Sequence, residues 1–443
     1  MRFDSLDEWL SWQERLHPVE IDLGLERVQA VTASLLGSLK NLQLPATVIT
    51  VAGTNGKGSC IAMLESIFLA AGYSVGTYTS PHLLRYNERI RVNGVAVGDE
   101  QLCQTFDRID QARNEMSLSY FEFGTLAAFD LFNDDSIDIV LLEVGLGGRL
   151  DAVNVIDNQV GLISSIALDH IAILGDNRES IAVEKAGIMR KDVPLVCGDN
   201  QPPENLYQLA SDYGCELYCQ GRDFSAKSNP VTTKSSKGRW RWQGVSQYYD
   251  DLPSPALGST CQLDNAASVL MVLELLSAVH PVEKTHICNG LETVSLPGRF
   301  QTFVIRESAV NTSSVVTTIL DVAHNPQATS VLAQSLREEE HVGKSYAVLG
   351  MMVDKDVVGA LSPMCGLFDG WFVASLNSPR SCQSDVLSAS LTELAQTSVV
   401  SCESMLTAWC QALGAVSSGD RIVVFGSFLA VSEILPELYE RAE

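Results

Sequence analysis

The sequence predicts an α/β protein: a first domain with a mostly parallel sheet, then a smaller C-terminal Rossmann-like α/β domain. Three observations predict it. Apolar strand-like runs alternate with longer helical patterns through the first half. A glycine-rich loop joins one such run to a helix, and the same rhythm restarts after Leu296-Pro-Gly-Arg-Phe300.

Taken in order, Thr47–Ala52 is a β-branched, apolar run suited to a buried strand. The glycine-rich loop follows, then a helix over 58–71 that Gly72 stops, then a strand over 73–79. Further β-rich runs lie at 137–143, 160–166 and 193–197. Each ends in polar or glycine-containing sequence, where open α/β sheets hold their ligands. Over 220–260, Lys, Ser, Thr, Trp and Asn replace the aliphatic runs, which predicts a small antiparallel excursion around Trp240-Arg-Trp-Gln-Gly244. Helical periodicity returns over 263–279, and the Pro-Gly punctuation at 297–298 sets a boundary. The domains are therefore expected to be 1–295 and 296–443, the second with strands at 317–320, Ser345–Leu349, 371–374 and Arg421–Phe425.

The 443 residues carry 54 Asp and Glu against 30 Lys and Arg, a formal charge of −24. That balance disfavours nucleic-acid or anionic-membrane partners, which select clustered Lys and Arg. Anionic substrates must then be drawn by local basic groups or metal ions. The 11 cysteines include no C-x-x-C pair, so they read as reduced thiols, not as a disulfide framework or zinc site. The acidic, amphipathic N-terminus is unlike a signal peptide, and the most apolar helical stretch is too short for a bilayer. A soluble, cytoplasmic protein is expected, acting on small molecules as a monomer.

The strongest motif is Val51-Ala-Gly-Thr-Asn-Gly-Lys-Gly-Ser59, between a strand and a helix. Glycines allow backbone N–H groups to turn toward phosphate oxygens, and the helix N-terminus adds partial positive charge. Gly53, Thr54, Asn55, Gly56, Lys57, Gly58 and Ser59 are thus candidate ATP contacts, Lys57 offsetting phosphate charge and Ser59 reaching Mg²⁺. The loop departs from G-x-x-x-x-G-K-[ST]: position 51 is Val, and Gly58 separates Lys57 from Ser59.

That variant marks a resemblance to the Mur ligase superfamily, and within it to the bifunctional dihydrofolate synthase/folylpolyglutamate synthase family. Matching stretches follow in order, among them Ile21-Asp-Leu-Gly-Leu-Glu-Arg27, Thr79-Ser-Pro-His-Leu83, Tyr120-Phe-Glu-Phe-Gly-Thr125 and Glu143-Val-Gly-Leu-Gly-Gly-Arg-Leu-Asp151. Leu168-Asp-His170, Glu184-Lys-Ala-Gly-Ile188, Pro297-Gly-Arg-Phe300, Asp321-Val-Ala-His-Asn-Pro326, Asp354-Lys-Asp356 and Gly426-Ser-Phe428 continue the set, with Val322 a departure where relatives carry Gly. The resemblance implies a P-loop ATPase domain and a C-terminal glutamate-ligase domain. The implied reaction joins L-glutamate to dihydropteroate and adds γ-linked glutamates to reduced folates, through an acyl phosphate made from ATP.

Glu143 ends a strand and is a suitable hard-oxygen ligand for Mg²⁺; its bland alternative is a surface pair. The resemblance makes Ser59, Ser80, Glu143, His170 and Lys185 ligands of two magnesium ions, although Ser80 by itself reads as a turn hydroxyl and His170 as a structural histidine. Lys185 reads by itself as a buried lysine paired with Glu179 or Glu184; the resemblance implies that CO₂ carbamylates it. Lys57, His170 and Lys185 are the expected catalytic residues. Asn265, Arg299, Asp321 and His324 carry over to the nucleotide, with Lys355 and Arg380 as basic candidates beside them. Asp22, Leu23, Ser119, Tyr120, Phe121, Glu122, Leu150, Asp151 and Ala152 match the dihydropteroate-binding stretches. Arg85, assigned with them to the substrate, belongs to a basic run with Arg89 and Arg91, which either faces solvent or attracts substrate carboxylates. Two rival readings share the phosphate loop: an ATPase switch with no organic acceptor, and a cell-wall amino-acid ligase.

Overall fold

The computed structural model describes residues 1–19, 21–37, 42–228, 238–309 and 312–441. The chain divides into two compact units. One comprises Met1–Ala167, Leu174–Ala256 and Gln262–Ser295; the other comprises Leu168–Ile173, Leu257–Cys261 and Leu296–Glu443.

In the first unit, β1 (Thr47–Ala52), β2 (Val75–Tyr78), β3 (Ile90–Val92), β4 (Val95–Ala96), β5 (Ile139–Glu143), β6 (Val160–Ile163), β7 (Leu195–Cys197) and β8 (Leu217–Cys219) build one sheet, in the order β4-β3-β2-β5-β1-β6-β7-β8. Pairing is parallel from β2 through β8, and β3 and β4 add an antiparallel edge. Buried on both faces, β1 and β5 are almost purely aliphatic, as parallel central strands require. Because β1 lies between β5 and β6, the loops leaving all three open at the same end of the sheet, around a switch in strand order.

The antiparallel excursion is a sheet of β9 (Ser225–Ser228), β10 (Arg239–Gln243) and β11 (Tyr248–Pro253); residues 229–237 of that stretch lie outside the described residues. Its period-two pattern buries Trp240 and Trp242, whose indole N–H groups donate to Pro253 O (2.8 Å) and Ala267 O (3.0 Å). The helix expected over 263–279 is Gln262–Leu276.

In the second unit, β12 (Gln301–Ala309), β13 (Thr312–Leu320), β14 (Ser345–Leu349), β15 (Gly370–Ala374), β16 (Val399–Cys402) and β17 (Arg421–Phe425) order as β12-β13-β17-β14-β15-β16, parallel except for β12. The sequence predicts only the last residues of β13. Its earlier half pairs with β12 in a long hairpin rich in Ser and Thr, which gives no apolar run to read. Trp371, Phe425, Leu387 and Leu391 are among the buried side chains of this unit's core.

Candidate active site

The phosphate loop leaves β1 and enters the helix Lys57–Ala70. Gly53 (φ +149°) and Gly56 (φ +87°) hold backbone conformations that side chains resist, and each faces a close neighbour. A Cβ on Gly53 would lie 2.0 Å from Ser164 Oγ, and one on Gly56 2.6 Å from Asn265 Oδ1. The loop is laced to the segment after β6: Thr54 N donates to Ser165 O (2.8 Å), Asn55 N to Ser165 Oγ (3.0 Å), and Ser164 Oγ to Asn55 O (2.6 Å). Thr54 Oγ1 donates to Ala167 O and accepts from Ala167 N, both at 3.0 Å. Lys57 folds over the loop, Nζ donating to Gly53 O (3.0 Å). Asn265 is buried against this loop, its amide donating to Gln262 Oε1 (3.0 Å). The Ser164–Ala167 contribution is not legible in sequence, because serines after a strand carry no motif.

Glu143, at the end of β5, is buried and accepts from Ser80 N (3.1 Å); Ser59 is buried at the helix start. A buried carboxylate offers hard oxygen donors of the kind that suit a divalent ion completed by phosphate and water. Lys185 is buried on the helix Arg178–Ala186. Glu184, one of its expected partners, pairs with Arg149 (2.8 Å). Gly148 lets the loop after β5 lie on that helix, where a Cβ would come 2.7 Å from Glu184 O.

Asp151 organises the same loop. Its carboxylate accepts from Leu146 N (2.8 Å) and Val153 N (3.1 Å), capping the short helix Ala152–Val155. Burial lifts it to about 6 against those bonds and the charge of Lys57. Ser119 and Glu122 form a capping box on the helix Tyr120–Phe132, with Ser119 N donating to Glu122 Oε2 (2.7 Å). Arg27 bridges Glu122 (3.0 Å) to Asp22 (2.7 Å), and Asp22 also meets His17 Nε2 (3.0 Å). Three matched positions, Asp22, Ser119 and Glu122, thus belong to one network whose hub, Arg27, sequence reasoning did not single out; residues separated by 95 positions leave no local signal.

Tyr120 packs edge-on against Tyr86 (5.4 Å), and Phe121 lies tilted against Tyr78 (5.9 Å, interplanar angle 42°). Leu23 and Leu150 are partly exposed and Ala152 is buried. In the basic run, Arg85 lies at the surface paired with Asp99 (2.9 Å), and Arg91 is held by Glu65 (2.7 Å). Arg89 is buried against Tyr86 and Tyr120.

The second unit gathers His170, His324 and Lys355 around Asp169. Asp169 meets Lys355 Nζ (2.7 Å), His324 Nε2 (3.5 Å) and Asn325 Nδ2 (3.1 Å). Lys355 Nζ also lies 3.3 Å from His170 Nε2. Burial, then the Lys355 charge, hold His170 down at about 4, so its imidazole is neutral at physiological pH, the form that ligates metals. His170 has φ +48°, a left-handed backbone uncommon outside glycine. Asp321 is fixed by Phe300 N (2.9 Å) and Ala323 N (2.8 Å), while Arg299 stacks on Phe428 (5.1 Å) and Arg380 pairs with Asp354 (3.0 Å).

Residues 298–428 match the Mur ligase, glutamate ligase domain family. The dihydrofolate synthase/folylpolyglutamate synthase of Escherichia coli (strain K12) is 40% identical over 431 residues, covering 97% of this chain and 94% of that relative. Escherichia coli FolC in complex with DHPP and ADP has a similar structure, with a TM-score of 0.88 at 38% identity over 99% of both chains. A bifunctional folylpolyglutamate synthase/dihydrofolate synthase with Mn, AMPPNP and L-glutamate bound gives 0.85 at 40% identity over 98% of both.

Proposed function

The chain belongs to the bifunctional dihydrofolate synthase/folylpolyglutamate synthase family, and from that membership we propose how its own residues perform the ligation. The protein is an ATP-dependent ligase joining L-glutamate to folate-type acids, and it uses a divalent metal. A free carboxylate resists amines because its anion is resonance-stabilised and repels them. Transfer of the ATP γ-phosphoryl group gives an acyl phosphate, and the glutamate amine attacks its carbonyl to release phosphate.

Phosphoryl transfer asks for positioning and charge neutralisation. Gly53 through Ser59 cradle the phosphates and Lys57 offsets their charge, with Asn265, Arg299, Asp321 and His324 as further nucleotide contacts. Ser59, Ser80, Glu143, His170 and a carbamate on Lys185 would hold the two magnesium ions, which supply electrostatic stabilisation of transferring oxygens. Burial of Lys185 favours its neutral amine, the form that adds CO₂. The acceptor lies against Asp22, Leu23, Ser119–Glu122 and Leu150–Ala152, where Tyr120 and Phe121 offer aromatic faces to a planar pterin. The domain boundary is read at 296. The chain carries both α/β units and is read as a monomer; its cysteines are all free, which favours a reducing cytoplasm, and no helix among the described residues is long and apolar enough to cross a membrane.

The observation that carries this reading is the laced phosphate loop of β1 beside the buried Glu143. Its test is ADP release with ATP and Mg²⁺, which should require both dihydropteroate and glutamate. Release without either acceptor supports the ATPase switch, and dependence on a UDP-linked acid supports the cell-wall ligase.

A further inference from the structure

The arginines of the loop after β2 differ in what balances their charge. Arg85 is exposed and faces Asp99; Arg91 is gripped by Glu65 through Nε and Nη2. Arg27 is shared by Asp22 and Glu122. Arg89 is different. Only 9% exposed, it pairs with no carboxylate among the described residues. Its Nε donates to His82 Nδ1 (2.9 Å), and its guanidinium carbon lies 5.4 Å from the ring centre of Tyr86 and 5.5 Å from that of Tyr120.

Burying an arginine without an anion is unfavourable unless something returns the lost solvation. Aromatic faces return part of it, and the Tyr78 hydroxyl also meets the guanidinium; its remaining donors can hold a planar anion. The backbone fixes where that edge sits. Arg89 O accepts from Thr79 N (2.8 Å), and the next residue, Ser80, donates its N–H to Glu143.

We propose that Arg89 binds the carboxylate of the acceptor acid and so selects acids over their uncharged analogues, with Tyr86 and Tyr120 walling its guanidinium. The proposal rests on the ligase reading above. It assigns Arg89, not the exposed Arg85, to substrate recognition, and makes His82 a positioning residue that orients the guanidinium through Nε.

The test substitutes Arg89 itself and removes the acid from the ligand. Binding of dihydropteroate, and of the same pterin ending in an unsubstituted phenyl ring, is measured by calorimetry without ATP on the wild type, Arg89→Gln and Arg89→Lys. The wild type should prefer the acid by about 10- to 100-fold, the effect of one charge-assisted bidentate contact. Arg89→Gln should lose that preference by weakening the acid alone, with ATP affinity unchanged, and Arg89→Lys should keep a reduced preference. A wild-type preference in Arg89→Gln, or equal weakening of both ligands, overturns the proposal. If Arg89→Gln does not fold, Arg89→Lys decides, and a wild-type preference there overturns it. A wild type that binds neither pterin refutes the acceptor reading itself, and the proposal falls with it.

Discussion

The phosphate loop and the aromatic cluster beside it differ in what they are made of. The loop is nine consecutive residues, 51–59, shaped by backbone, with two glycines at positive φ and the N–H groups of Thr54 and Asn55 bonded to Ser165. The cluster assembles side chains from four separate stretches: His17–Arg27, Tyr78–Arg91, Ser119–Phe123 and the loop closed by Asp151. A phosphate can be recognised by any backbone with the right curvature, so its site is compact in sequence. An aromatic acid needs flat walls and placed charges, which only tertiary structure brings together.

If the loop works through charge, the largest effect should come from its one lysine. Lys57→Ala should leave the fold intact and lower kcat by ~10³ or more, the loss expected when a contact to a transferring phosphate is removed. Steady-state ADP release checks it, and near-wild-type turnover would detach Lys57 from the chemistry. Lys185 tests whether charge chemistry extends beyond the loop. Lys185→Ala should lower kcat by ~10² or more and weaken Mg²⁺ binding, measured by titration, and acetate or formate should restore part of both. Fully active enzyme whose intact mass shows an unmodified Lys185 would sink the carbamate.

The contrast also sorts what the sequence revealed. The phosphate loop, Glu143 and the parallel strands were legible because apolar runs and glycines are local signals. The hairpin β12–β13 was only partly legible, since its Ser- and Thr-rich half is recognised by pairing and not by hydrophobicity. Arg27 joins Asp22 to Glu122, and Lys355 joins Asp169 to His170; neither link has a local signature. Arg85, Arg89 and Arg91 look alike in sequence, and only Asp99, Glu65 and the two tyrosines tell them apart.

Two buried aspartates sharpen the comparison through pH. Asp151 has backbone donors but no ion pair among the described residues, and burial raises it from 3.8 to about 6. A raised carboxyl opposes folding once ionised, so its contribution should make stability fall as pH rises from about 4 to about 6 and stay lower above that. The upper bound is ~3 kcal/mol. Asp169 has the opposite sign: burial is outweighed by His324 and Lys355, its carboxyl is held far below 3.8, and it stabilises above that value and loses this as pH falls. The two windows do not overlap. Urea unfolding of the wild type and Asp151→Asn between pH 4 and 8 should differ in slope only up to about pH 6, and parallel curves would refute the raised carboxyl.

The smallest effect separates capping from recognition at Ser119. Both Ser5 and Ser119 head capping boxes, with Glu8 and Glu122 as reciprocal partners, and in both the serine oxygen accepts from the N3 backbone. By the helix alone the two should be equivalent: each Ser→Ala change removes one acceptor from the first turn and costs about 1 kcal/mol of stability. They differ in what the glutamate touches. Glu8 is at the surface, whereas Glu122 is buried and bonded to Arg27, which holds Asp22. Loosening Glu122 should therefore pass to the acceptor side. Ser119→Ala should raise KM for dihydropteroate severalfold with KM for ATP unchanged, and Ser5→Ala should match its thermal destabilisation and leave both KM values alone. If Ser119→Ala moves stability but neither KM, Ser119 is a cap and the Arg27 network does not reach the acceptor.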